Sequence, residues 1–276
     1  MTLADLFRAF ETFTNAPGSS PRLRELVLDL AMHGKLVPQN PAETTASTLI
    51  QEISKERERR IAAKQIKRTK GPHPFNQSDA PYCLPGNWIW ARLGQLAFTI
   101  TDGTHHTPKY VDNGVPFLSI KNISGGRLDF TNTRLISYGE HKAINQRCNP
   151  ERDDILVCRI GTLGVPVLVD TDRPFSIFVS VGLIKFGTKW VVPKFLRMAL
   201  DSPPLYAQYE SVKAGGAHTN KLNLEDLPDL LIPLPPLAEQ HRIVSKVEEL
   251  MGFIDKLEEN REPFLGILGR PISFQT

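Results

Sequence analysis

Apolar residues in this chain keep helical spacing at both ends and change to short runs between them. Leu3, Leu6, Phe7 and Phe10 recur at helical steps until Asn15–Pro21 breaks the pattern. A second helix is predicted from Arg22, with Leu23, Leu26, Val27 and Leu30 on one face, Gly34 as its stop and Pro38 just beyond. A third begins near Ala46 and carries Leu49, Ile50, Ile53 and Ile61. From Leu84 to Leu234 the texture becomes short apolar runs between Gly, Asn, Asp and Thr turns. Strands are predicted at Val115–Ile120, Asp154–Arg159, Val165–Asp170, Ser176–Val181 and Leu183–Phe186, with helices at Val192–Ser202 and Leu205–Lys213. Ile232-Pro233-Leu234 reads as a closing edge strand, where proline is tolerated. Pro235 and Pro236 then open a helix predicted to reach Arg261, roughly 39 Å at 1.5 Å per residue. Along it Ile243, Val247, Leu250, Ile254 and Leu257 alternate steps of four and three, a heptad seam that asks for a partner helix.

At 276 residues the chain is long enough for one or two cored domains. A net charge of +3 and a pI near 8.7 are too mild to identify a polyanion ligand, so local distribution must carry that argument. Between Gln51 and His73 eight Lys/Arg stand against three Glu, a net of +5. That run is either a solvated helix face laced by ion pairs or an arm facing phosphate or a partner. Between Leu84 and Pro235 the balance is sixteen Lys/Arg against fourteen Asp/Glu. The three cysteines, Cys83, Cys148 and Cys158, are far apart and form no CxxC pair, which fits a reducing compartment and suggests no zinc knuckle. No apolar run approaches a membrane span, and no basic start leads into an apolar leader. The expectation is a cytoplasmic protein without a membrane segment.

Candidate chemistry lies in polar loops of the middle region. Thr101–Tyr110 offers Thr104, His105, Thr107 and Lys109 for phosphate or base-edge contacts; adjacent histidines point apart on most backbones and argue against a metal pair. Lys121 and Asn122 end a strand, and Arg127 follows the Gly125-Gly126 turn. An ordinary hairpin explains the glycines equally well. Arg159 stands at a strand end beside Gly161. In Lys213–Lys221, Gly215 and Gly216 allow close backbone approach, and His218, Thr219, Asn220 and Lys221 supply donors with no carboxylate among them. The competing view is a plain helix-to-strand loop.

Motifs for catalysis are weak. Val157–Gly164 has neither GxxxxGK[ST] nor GxGxxG spacing. Ser202-Pro-Pro-Leu205 lacks the acid or amide and the aromatic of amino-methyltransferase motifs. Neither HExxH nor a PD…(D/E)xK pattern is present. No catalytic residue, metal or cofactor is expected.

Taken together, Leu23–Ala31 with Gly34–Gln39, Leu84-Pro-Gly-Asn-Trp88 with Arg92-Leu-Gly94, Gly103-Thr-His105, Thr107–Tyr110, Gly114–Ser119, Asp154-Ile-Leu156, Arg159-Ile-Gly161, Gly215–His218 and Ile232–Val244 resemble the specificity subunit of type I restriction-modification enzymes. The resemblance covers roughly residues 20–260. It implies an α+β fold: a mixed α/β target recognition domain rich in short strands, flanked by N-terminal helices and a long C-terminal coiled-coil spacer helix. The corresponding division is 1–70 helical region, 71–83 linker, 84–235 recognition domain, 236–262 spacer helix and 263–276 divergent tail. It further implies a non-catalytic subunit that reads one half of a bipartite double-stranded DNA target. Modification (methyltransferase) subunits would dock on its helices and bring the restriction (translocase/nuclease) subunits. A full subunit of that family carries two recognition domains, so this chain is expected to be a half-length form, authentic or truncated. A homodimer would restore two reading domains about a twofold axis. The alternative is a helical adaptor or remnant that no longer binds DNA specifically.

Overall fold

The computed structural model describes residues 19–214 and 220–259. The predicted helix over 1–15, the glycine-rich part of 213–221, the end of the spacer helix at 260–261 and the tail lie outside those residues. Helix α1 spans Ser19–Met32 and α2 Ala46–Ala62. Gly34 ends α1 in the left-handed region (φ 65°), with the Lys35 N–H donating to the Leu30 carbonyl at 2.9 Å. A Cβ there would stand 2.4 Å from Pro85 Cγ, so the helix stop and the domain entrance are packed together.

The described residues of the middle region form three sheets. Strands β1 (Ile89–Arg92) and β10 (Leu231–Leu234) pair antiparallel, Ile89 opposite Leu234, and bring the two ends of the domain together. β2 (Ala97–Asp102), β9 (Val181–Phe186), β6 (Ile155–Cys158) and β7 (Gly164–Leu168) form an antiparallel sheet in that order. β3 (Tyr110–Val111), β5 (Arg134–Ile136), β4 (Val115–Leu118) and β8 (Ser176–Ile177) form the other, β4 and β8 being parallel. A single turn of helix, α3 (Leu93–Leu96), joins β1 to β2, and α4 (Tyr138–Asn145) follows β5. Helices α5 (Pro193–Leu200) and α6 (Pro203–Val212) lead toward β10, and α7 runs from Leu237 to Glu259.

The predicted strand Ser176–Val181 is corrected. Phe178–Ser180 steps from one sheet to the other, its Phe178 N–H bonded to the Leu118 carbonyl and its Val179 N–H to Thr104. The sequence conceals such a step because Ile177 before it and Val181 after it are both buried. The α1 face is also rotated from expectation. Val27, Leu28, Ala31 and Met32 are buried, Leu23 and Leu30 are half-buried, and Leu26 is 49% exposed.

Helices and sheet share one core. The α7 seam is covered within the chain: Ile243, Val247 and Ile254 are buried, and Leu250 and Leu257 half-buried. The covering elements are α1, tied by Arg24 to Asp255 (2.5 Å) and Glu258 (3.0 Å), and α5, tied by Lys194 to Glu248 (2.5 Å). At the start of α7 the buried Gln240 accepts from the Val192 N–H (2.8 Å) and donates to the carbonyls of Trp190 (3.3 Å) and Pro235 (3.1 Å). The 71–83 segment is pinned: His73 bonds Asp229, Tyr82 donates to Met32 O at 3.0 Å, and His33 stacks on Tyr82.

Much of the basic run on α2 is engaged. Arg57 donates to the carbonyls of Gly94, Gln95 and Ala97, each at 2.8 Å, while Arg59 and Arg60 pair with Glu56 and Arg68 with Glu58. Lys55, Lys64, Lys67 and Lys70 remain exposed. None of the described helices is long and apolar enough to cross a membrane.

Candidate nucleic-acid interface

Antiparallel register decides which loops meet. Asp102 lies opposite Gly182, and Cys158 opposite both Val181 and Gly164, so β2 and β6 end where β9 and β7 begin. The other sheet abuts the same edge, since Leu118 pairs with Ile177 and the Thr104 N–H donates to the Ile177 carbonyl at 3.0 Å. Gly103 makes this crossing feasible, because a Cβ there would stand 2.0 Å from that carbonyl oxygen. Across the rim, the Gly161 N–H donates to Asn220 O at 2.9 Å, the Leu222 N–H donates to Arg159 O at 2.8 Å, and Ala214 and Lys221 bond each other, closing the 213–221 loop at its base. Four loops distant in sequence therefore share one rim.

A buried carboxylate organises it. The side chain of Asp102, 3% exposed, accepts from Arg159 Nη1 at 2.5 Å and from Arg147 Nη2, and His105 Nε2 lies 3.1 Å away. Burial alone would raise its pKa; the bonds from His105 and Arg147 and the charges of Arg159 and Arg147 outweigh that and hold it below the usual carboxylate range.

The residues proposed from sequence divide into two groups. His105, Thr107, Lys109, Lys121, Arg127, Asn220 and Lys221 are exposed, and Lys109, Lys121, Arg127 and Lys221 make no ion pair among the described residues. Thr104, Asn122 and Arg159 are buried and act inward. Asn122 Oδ1 accepts from the Ser119 N–H (3.0 Å) and its Nδ2 donates to Asp129 O (3.2 Å), so this side chain closes a turn and is not presented as a groove reader. Arg159 is used up on Asp102, Val179 O and Leu222 O. Thr104 Oγ1 bonds His106 Nδ1 at 2.7 Å, and His106 Nε2 bonds Glu140 Oε1 at 2.9 Å. Gly215, Gly216, His218 and Thr219 lie outside the described residues.

Sequence reading missed Asp102, Arg147 and Glu140. His105 is a local partner of Asp102, but Arg147 and Arg159 reach Asp102, and Glu140 reaches His106, from far along the chain, and only the tertiary fold brings them together. A cleft of about 730 Å³ opens between the Gly103–His106 turn and α4, lined by Gly139, Glu140, Ala143 and Arg147. The buried thiols show no nucleophilic setting: burial pushes Cys158 up to about 11 and Cys148 up to about 12. Among the described residues no group of three His, Cys, Asp or Glu is placed to hold a metal ion.

Comparison with known proteins places this architecture. The family described as type I restriction modification DNA specificity domain matches residues 85–263. The Escherichia coli type I restriction enzyme EcoDI specificity subunit is 46% identical over 259 residues, covering 86% of this chain and 48% of the relative. The EcoAI specificity subunit, also from Escherichia coli, is 27% identical over 255 residues, covering 90% and 43%. A chain from a structural study of complex assembly and conformational transition in a type I R-M system superposes with a TM-score of 0.53 at 20% identity, covering 90% of this chain and 54% of that one; it has the same fold. This chain spans about half the length of the curated relatives it matches. With the family match running from the entrance of the recognition unit through its closing strand and into α7, the chain belongs to the type I restriction-modification DNA specificity family.

Proposed function

We propose that this chain reads one half of a bipartite DNA target through the rim loops while contributing no catalysis of its own. Modification (methyltransferase) subunits would dock on its helices, and restriction subunits would join through them. The observation that carries this reading is the gathering of exposed, unpaired cations and uncharged hydrogen-bonding side chains from separate loops onto one rim of a family-matched unit. Lys109, Lys121 and Lys221 fit phosphates, which position the protein without sequence information; Thr107 and Asn220 have the donors and acceptors that distinguish base edges. Working on chromosomal DNA, such a subunit belongs in the cytoplasm.

The test is methylation mapping with the chain and its modification partner produced together. A recovered motif with a defined half-site, and binding that falls steeply with salt, is the expected result. Sequence-independent binding by the complex overturns the reading and favours an adaptor. DNA cleavage, ATP hydrolysis or methyl transfer by the isolated chain overturns its non-catalytic part.

A further inference from the structure

We infer that α4 is a second base-reading element of this rim, with Gln146 and Arg147 meeting base edges and Lys142 the DNA backbone. The inference rests on the functional reading above and names residues that nothing in the loop pattern indicated. Helix α4 is amphipathic in an unusual balance. It is anchored by Ile144, by His141 Nδ1 at 2.9 Å from Ser176 Oγ, and by the Ser176 hydroxyl donating to Asn145 at 3.0 Å. The opposite side exposes Tyr138, Gly139, Lys142, Ala143, Gln146 and Arg147, residues that recur in pairs every four positions.

That exposed stripe contains no carboxylate. Glu140 lines the neighbouring cleft and hydrogen-bonds His106 Nε2 at 2.9 Å. Tyr138 is 72% exposed, and neither it, Lys142 nor Gln146 gives a side-chain hydrogen bond to another described residue. A helix that only covered the sheet would have no need of an exposed aromatic and two uncommitted donors, Lys142 and Gln146, beside the reading loops. Small side chains at Gly139 and Ala143 keep the middle of the stripe low, so a duplex can approach with the longer side chains around it.

Arg147 links the helix to the rim. Its guanidinium is held by Asp102 and by the Gly103 carbonyl at 3.1 Å, yet the side chain remains 53% exposed. A donor fork fixed in advance loses little conformational freedom when it meets guanine O6 and N7. Gln146, one residue away on the same stripe, matches the paired acceptor and donor of adenine. His105 and His106 line one side of the 730 Å³ cleft, and Gly139, Ala143 and Arg147 of the stripe line the other, so the turn and the stripe border one opening.

The experiment uses the full chain with its modification partner, the duplex motif recovered by methylation mapping, and every single-base variant of that motif. Gln146→Ala is expected to cut discrimination about tenfold at one or two adjacent positions while other positions keep theirs. Arg147→Ala is expected to do the same at a neighbouring position, and Lys142→Ala to weaken all duplexes alike and lower the salt slope by about 1. Gln146 has no described side-chain partner, so its variant stays informative if Arg147→Ala destabilises the fold. Unchanged base preference in both the Gln146 and Arg147 variants, with wild-type preference intact, overturns this inference alone. A wild-type complex without base preference overturns the functional reading and this inference with it.

Discussion

The helical frame and the rim of the middle domain treat polar groups in opposite ways. In the frame, inward polar side chains are spent on the protein itself: Gln240 bonds one N–H and two carbonyls, Arg57 caps three carbonyls at the α3–β2 junction, and buried Glu239 accepts from Gln39. At the rim, Lys109, Lys121 and Lys221 face solvent with no described ion-pair partner, whereas Arg127 lies away from it, in a groove with Arg24, Lys194 and Asp255 of the frame helices. Buried polar groups left unsatisfied are costly, whereas exposed unpaired cations cost the fold little and remain available to an anion. Stability therefore resides in the frame, and the DNA contacts proposed above fall at the rim. Asp102, with the buried Arg159 it holds, is the clearest exception, because it stands at the rim and is built like the frame.

That exception gives the largest expected effect. Asp102→Ala leaves Arg159, whose side chain is 5% exposed, without its carboxylate. Removing one partner of a buried ion pair costs about 3–5 kcal/mol. Denaturant unfolding should show the loss, and a change below about 1 kcal/mol would mean that Arg159 finds water instead. Next in size is Gln240→Ala, which strands the Val192 N–H and the Trp190 and Pro235 carbonyls at the root of α7 and should cost about 3 kcal/mol. If that variant unfolds like wild type, α7 does not depend on this junction, and the contrast between frame and rim weakens.

Legibility follows the same contrast. The frame was readable because helical spacing and proline and glycine punctuation are local: α2, α5, α6 and the start of α7 fall near their expected places. The face of α1 was misjudged because Leu26 is apolar yet 49% exposed, and apolarity alone does not say which side the core lies on. At the rim, residue type located the loops but not the direction of their side chains. Arg159 and Asn122 look like readers in sequence and are buried; Arg147 looks like nothing in particular and stands beside the cleft. What separates them is the strand register that brings Asp102, Cys158 and Gly164 to one edge, and register depends on pairs of distant residues.

A smaller effect should appear on titration. Asp154, buried beside Lys185 at 2.6 Å, is raised to about 6, chiefly by desolvation and against the pull of Lys185. A carboxyl whose folded pKa exceeds its unfolded value of about 3.9 gives stability that is fully present below that value and lost as pH rises through about 6. Wild type should therefore lose on the order of 2–3 kcal/mol between pH 4 and 7 that Asp154→Asn does not lose. Parallel stability curves for the two proteins would show that the lysine compensates the burial in full.

The smallest effect on the fold, and the sharpest on the comparison, is expected from the rim lysines. Lys121→Ala and Lys221→Ala remove exposed side chains with no described ion pair, so each should change unfolding free energy by less than about 0.5 kcal/mol. Binding should respond where stability does not. If each lysine neutralises one phosphate, the slope of log affinity against log salt should become shallower by about 0.9 per lysine, equally on cognate and unrelated duplexes. Lys55→Ala, on the frame's exposed basic face, supplies the matched comparison, since it removes the same charge from α2 and should leave the slope unchanged. An equal change in slope from Lys55 and Lys221 would show net charge to be the cause, and the rim would lose its distinction from the frame as the DNA-facing surface.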